Sequence, residues 1–222
     1  MRAQSSGAAG AVIETERLRM RAHRDNDLAD LVALAGNWEI ARWTGRIPHP
    51  YSETDGREWI ARVQENHAAG QPRRFAIALK ESDRLIGGVG LDGSTGDGSD
   101  EPALGYWLGQ PYWGNGYGRE AATAIIDYGF RTLGLKTIRA YTDPGNIASQ
   151  KVLLHCGLKT LARSSCSRRP ATGNIVRRYS ASLRRSFGLA TASSAAPPIR
   201  LAGQWSDRPG QPGEHGARAP AS

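Results

Sequence analysis

Cysteine is nearly missing: Cys156 and Cys166 are the only two among 222 residues. They form no CxxC pair, and His23, His49, His67, His155 and His215 are scattered without HxH or HExxH spacing. These absences exclude a disulfide framework and leave no metal-ligand pattern, so no metal is expected. Long apolar runs are also missing, and residues 1–11 lack the hydrophobic segment of a secretory signal. Neither a membrane span nor export is expected, and the chain reads as cytoplasmic. Acidic residues are absent between Pro144 and Ser206, while Lys and Arg continue through that stretch. With a net charge of +8, this basic half suits the phosphates of a ligand, nucleic acid, or plain solvation. No nucleic-acid-binding motif accompanies it, so nucleic acid is not the expected partner.

What is present describes one domain. At 39% hydrophobic residues the chain can bury one substantial core. Residues 1–11 read as a flexible start, 12–185 as the folded domain, and 186–222, rich in Ser, Ala, Pro and Gly, as a disordered tail. A strand is expected over Ile13 to Arg21, with Leu18 and Met20 on one face and Arg17, Arg19 and Arg21 on the other. Asp25-Asn26-Asp27 offers a cap to a helix carrying Leu28, Leu31, Val32 and Leu34. Asn37 to Trp43 and Ser52 to His67 read as two further helical pieces. Phe75 to Lys80 and Leu85 to Leu91 alternate as a hairpin, and Leu158 to Ser167 with Ile175 to Leu183 as a last strand pair. Trp38, Trp43, Tyr51 and Trp59 gather in the early helical pieces. Core packing is the ordinary use of such side chains, and lining a ligand site is the other.

The chain is organised around Tyr112 to Glu120, YWGNGYGRE, which sets Gly114, Gly116 and Gly118 at alternate positions and runs into the apolar series Ala121, Ala122, Ala124, Ile125, Ile126, Phe130. Glycine permits positive φ and close approach, and the first helical turn leaves N–H groups unpaired at the positive end of the dipole. The backbone N–H groups of Trp113, Gly114, Asn115, Gly116, Tyr117, Gly118 and Arg119 are therefore a candidate phosphate cradle. The strand Leu104 to Leu108 precedes the turn, and the strand Thr137 to Tyr141 follows the helix. Asp143-Pro144-Gly145 then breaks the chain, and Asn146 caps a second helix ending at Gly157. The order is βαβα.

Five segments together resemble the GNAT acyl-CoA N-acetyltransferases, and among them the RimJ/RimL type that acetylates ribosomal-protein N-termini. They are ETERLRMR (Glu14 to Arg21), LIGGVGL (Leu85 to Leu91), LGYWL (Leu104 to Leu108), YWGNGYGREA (Tyr112 to Ala121) and TDPGNIASQKVLLHCGL (Thr142 to Leu158). The resemblance implies an α/β fold of the α+β type, a mixed and mostly antiparallel sheet of about six to seven strands flanked by helices. It implies acetyl-CoA as co-substrate, its pantetheine arm inserted beside the strand holding Trp107 and Leu108, with the Leu108 N–H polarising the acetyl carbonyl. By the same resemblance Asn146 contacts the pantetheine and Ser149 lies near the sulfur as donor to the departing thiolate. For each the plain alternative is helix capping. Arg119 and Lys151 add charge near the phosphates.

Two positions depart from the family pattern. Ala103 stands where an acid is common, so Glu101, two residues earlier, is the candidate base acting through water, with Asp100 second; the alternative is a solvated loop acid. Gly118 stands where this branch commonly has Ala. The expected activity is acetyl-CoA-dependent N-acetylation by direct attack of a bound amine, with a protein N-terminal α-amine as acceptor. A small or aminoglycoside-like amine is the alternative acceptor, and a non-catalytic acyl-CoA-binding module the alternative protein. Monomer and homodimer are equally compatible with the sequence.

Overall fold

The computed structural model describes residues 11–44, 46–93, 101–164 and 178–184. Its strands are β1 (Ile13–Glu14), β2 (Leu18–Arg21), β3 (Arg74–Leu79), β4 (Leu85–Asp92), β5 (Ala103–Leu108), β6 (Thr137–Thr142), β7 (Lys159–Ser164) and β8 (Arg178–Arg184). They form one eight-stranded sheet in the order β1-β2-β3-β4-β5-β6-β8-β7. Neighbours are antiparallel throughout, except that β5 and β6 run parallel. The helices are α1 (Leu28–Ala35), α2 (Trp38–Ala41), α3 (Glu53–Ala68), α4 (Tyr117–Arg131) and α5 (Ile147–His155). None of the described helices is long and apolar enough to cross a membrane.

The strand count exceeds the expected six to seven because the first strand is broken. The Thr15 N–H donates to the Leu18 carbonyl at 2.9 Å, folding Ile13 back opposite Met20. Leu18 and Met20 are fully buried, as their alternation requires. Arg21 was expected on the polar face, yet it is only 3% exposed. Its guanidinium forks onto both Asp27 oxygens at 2.7 and 2.9 Å and reaches the Asp83 carboxylate at 3.0 Å. Burial of an arginine is tolerated when its donors are met in this bidentate way.

The cap expected from Asp25-Asn26-Asp27 does not form, because Asp27 at the start of α1 turns its carboxylate to Arg21 and the Arg24 N–H, but two later helices start on local caps. Asn37 Oδ1 accepts from the Glu39 N–H at 2.8 Å to open α2. Ser52 and Asp55 exchange side-chain and backbone bonds to open α3. Two apolar layers hold the sheet. On one face α4 lays down Ala121, Ala122, Ile125 and Tyr128 against Ile86, Leu91 and Ile138. On the other, Leu31, Ala35 and Ile60 from α1 and α3 meet Ala76 and Leu85. Each fully buried aliphatic side chain contributes about 1.5–3 kcal/mol through removal of apolar area from water.

Of the segments read from the sequence, residues 1–10 of the start expected over 1–11, residues 94–100 with Asp100, Cys166, the inner ends of the expected last strand pair, and the expected tail lie outside the described residues.

Candidate active site

Between β5 and α4 the chain makes one 3-10 turn, Gln110–Tyr112, and then the glycine loop. Gly114 and Gly116 have φ of +78° and +80°, a region where any Cβ is strained. Gly116 is the N-cap of α4 and offers no side chain, so no side-chain cap meets the first N–H groups of the helix, the arrangement in which a helix start can bind an anion. The loop is fastened on several sides. Trp113 Nε1 donates to the Leu108 carbonyl at 2.7 Å, and Asn115 Nδ2 to the Trp113 carbonyl at 3.1 Å. Arg17 donates one guanidinium N–H to the Asn115 carbonyl at 3.0 Å and another to Glu120 at 2.8 Å. Glu120 also accepts from Thr15 Oγ1 at 2.5 Å and from the Arg17 backbone N–H at 2.9 Å. Burial acts to raise the pKa of Glu120, but these hydrogen bonds outweigh it and hold the carboxyl below its ordinary range.

The parallel pairing of β5 with β6 covers only Ala103↔Arg139 and Leu104↔Ala140. Beyond Leu104 the two strands part. The Gly109 N–H donates to the Ile86 carbonyl at 2.9 Å, so the odd-numbered residues of β5 bond to β4. By the two-residue alternation of an antiparallel pair, the N–H groups of Tyr106 and Leu108 face the opening. The Leu108 carbonyl is held by Trp113, which fixes the strand end. An extended chain laid in this gap would meet a ledge of strand N–H and C=O groups.

Across the gap, Asn146 Oδ1 accepts from the Ser149 N–H at 2.9 Å and starts α5. Ser149 Oγ lies 3.0 Å from the Tyr106 hydroxyl, which projects from β5. Burial pushes the Tyr106 phenol up to about 12, so it stays protonated at any ordinary pH. The sequence reading missed Tyr106, although it shares the strand face of Leu108, two positions on. Cys156 ends α5 half-buried against the core, its Sγ 3.5 Å from Thr123 Oγ1 and its thiol pushed up by burial. Every proposed donor-site residue except Asn115 lines one cavity of about 1460 Å³. Asn115 lines a second, of about 730 Å³, with Arg17, Arg119 and Glu120.

The large cavity continues to a wall from α2, α3 and their connection. Trp43, Tyr51 and Trp59 are half-buried and line it, whereas Trp38 is 50% exposed and tilts onto His49. Core packing, the ordinary expectation, therefore describes none of these four fully. Trp107 points to this side, its indole nitrogen so close to Gly88 that a Cβ there would sit 2.7 Å away. Arg74 lies over Trp59 at 5.3 Å and donates to Asp92 at 2.6 Å, and Arg46 reaches the same carboxylate at 2.5 Å. Behind Trp59, the His23 ring is 1% exposed, and neither nitrogen has a partner among the described residues. Burial lowers its pKa to about 4.

Glu101 is placed apart from this chemistry. It precedes β5, lines neither cavity, and its carboxylate is paired with Arg139 of β6. Among the described residues no group of three or more His, Cys, Asp or Glu gathers as a set of metal ligands.

Known proteins place this arrangement. The acetyltransferase (GNAT) domain family matches residues 17–159. An uncharacterized N-acetyltransferase p20 of Bacillus licheniformis is 34% identical over 145 residues, covering 63% of this chain and 77% of the relative. Mycobacterium smegmatis RimJ, solved with CoA-disulfide, superposes with a TM-score of 0.66 at 17% identity, over 80% of this chain and 88% of that one. A ribosomal-protein-S5-alanine acetyltransferase from Vibrio fischeri gives 0.62 at 22% identity, over 78% and 96% of the two chains. The splayed parallel strands and the glycine loop at the start of α4 thus have a family to account for them: the chain belongs to the GNAT acetyltransferases and is an acetyl-CoA-dependent N-acetyltransferase.

Proposed function

We propose that the acceptor is the α-amine of a protein N-terminus and that the acetyl group passes to it directly, with both substrates bound together. The observation that carries this reading is the continuity of one cavity of about 1460 Å³ from the glycine loop, past the β5–β6 gap, to the aromatic wall. Sites for one small ligand run to about 300–1,000 Å³, so a cavity of this size suits a donor and an acceptor side by side.

In this reading the N–H groups from Trp113 to Arg119 hold the donor's phosphates, with Arg119 and Lys151 adding charge. The ledge at Trp107 and Leu108 takes the pantetheine arm together with Asn146. The Leu108 N–H donates to the acetyl oxygen as negative charge develops there. The amine nitrogen forms its bond to the acetyl carbon, the carbon–sulfur bond breaks, and the electron pair leaves on sulfur. Ser149 Oγ–H donates to that thiolate.

The demand for a base separates acceptors. Asp92 in the cavity is engaged by Arg46 and Arg74, and Glu101 outside it by Arg139. An α-amine has a pKa of roughly 8 and is partly neutral near pH 7, whereas a lysine at roughly 10.4 needs deprotonation. Glu39, Asp55, Glu58 and Asp143 also line the cavity, but the two acids flanking β5, Asp92 and Glu101, are both paired to arginine, which suits the first. The Vibrio fischeri neighbour, by its description an acetyltransferase of a ribosomal-protein alanine, agrees in kind.

The test is a peptide that begins with Ser and carries an internal Lys, incubated with acetyl-CoA and sequenced by mass spectrometry. Acetyl on the α-amine is the expected result. Acetyl on the lysine, or on neither while a small amine is acetylated, overturns the reading.

A further inference from the structure

Tyr106 and Ser149 stand on opposite lips of the gap, 43 positions apart in sequence, with their hydroxyl oxygens 3.0 Å apart. Nothing in the sequence pairs them. The Tyr106 ring packs against the core on the α4 side, where its Cε2 would lie 3.7 Å from a Cβ at Gly118. Packing holds the ring, while Tyr106 also lines the cavity.

We infer that Tyr106 is a positioning residue for the transfer: its O–H donates to Ser149 Oγ and so turns the serine proton toward the sulfur of the departing group. The inference rests on the reading of Ser149 given above. A serine in the first turns of a helix otherwise tends to bond its own backbone, through a cap or a carbonyl one turn earlier. Here Asn146 already caps the Ser149 N–H, and the Tyr106 hydroxyl lies within hydrogen-bond distance of Oγ, in the inferred arrangement as its donor. With one lone pair of Oγ engaged, its hydrogen is left to point elsewhere, and the open direction is the gap. The alternative acceptor for the tyrosine, the Ser149 carbonyl, is farther away at 3.4 Å.

The chemistry requires hydrogen bonding rather than net proton loss from either hydroxyl. A thiol has an ordinary pKa of roughly 8.5, far below that of a serine hydroxyl or a buried phenol. The pair therefore stabilises the thiolate as two donors in series, and the proton that finally reaches sulfur or solvent is the one the amine loses on forming its amide. Both hydroxyls end the cycle as they began it.

The decisive experiment compares wild type with Y106F, S149A and the double variant, reading both turnover and the pKa of the thiol of bound CoA from its thiolate ultraviolet absorbance. The thiol titration needs no acceptor, so a wrong acceptor and a wrong role for Tyr106 give different failures. Phenylalanine keeps the packed ring. The expected results are a kcat about tenfold lower in Y106F, a CoA dissociation constant within about twofold of wild type, and a bound thiol titrating about 1 pH unit higher. S149A should raise the thiol pKa at least as much, and the double variant should be no worse than S149A alone. An unchanged thiol pKa in Y106F, or a double variant whose losses multiply, overturns the inference. Weakened CoA binding with unchanged kcat would make Tyr106 a packing residue and would overturn it as well.

Discussion

Arg17 and Glu120 are 103 positions apart and meet at 2.7 Å, joining the turn between the first two strands to the first turn of α4. The same guanidinium holds the Asn115 carbonyl and lies 4.7 Å from the centre of the Tyr117 ring. The segment ETERLRMR, which contributes no side chain to the chemistry, thus fastens the glycine loop from behind. Arg17→Ala and Glu120→Gln should each weaken donor binding roughly three- to tenfold, as expected for loss of charge-assisted bonds at a partly exposed site. The kcat at saturating donor should stay near wild type. Calorimetric titration with CoA and a kcat/KM split check this, and an unchanged dissociation constant in both variants refutes it.

Gly118 is a helical glycine without a positive φ, and a Cβ added there would find Leu108, Tyr106 and Val152 at 3.5 to 4.0 Å. Those are ordinary contacts. Gly118→Ala should raise stability by about 0.5–1 kcal/mol through helix propensity and leave the KM for acetyl-CoA unchanged. Thermal unfolding and donor kinetics on the one variant check both halves.

His23 is buried, with its pKa lowered to about 4 from an ordinary 6.5 by burial. Asp27 opposes the shift, while Arg21 and His67 reinforce it. Between those two values the unfolded chain binds the proton and the folded one does not, so stability rises with pH across that window and is lost as pH falls through it. The loss from pH 7 to pH 4 should be on the order of 3 kcal/mol from this group. His23→Phe should flatten that part of a stability-against-pH curve from urea unfolding. A curve as steep as wild type would assign the acid sensitivity elsewhere.

Glu101 is paired with Arg139 and lies outside both cavities. Glu101→Gln should therefore leave kcat and its pH profile within about twofold of wild type and cost under about 1 kcal/mol of stability, as exposed ion pairs do. Loss of the alkaline-rising limb of the profile in this variant would restore Glu101 as a base.

Features encoded within a few residues were legible in the sequence. Asn37, Ser52 and Asn146 cap the helices that follow them, and Gly114 and Gly116 take the positive φ that their spacing suggested. The gap beside Leu108 was available only through the family resemblance, since no local pattern says where two parallel strands part. Long-range pairings were not legible. Arg17 with Glu120, Tyr106 with Ser149 and Glu101 with Arg139 are set by the fold, which brings together residues whose own neighbourhoods give no sign of a partner. The break at Thr15 was hidden for a related reason. Leu18 and Met20 alternate as a strand does, and only the turn bond from Thr15 to Leu18 shows where the strand starts.

The measurement nearest the centre of this account is thiol release from acetyl-CoA with short peptides starting in Ser, Ala or Thr, set against the same peptides blocked at the α-amine. Release that depends on the free α-amine is the predicted result. Equal release from blocked peptides, or none from either set while acetyl-CoA still binds, would contradict it.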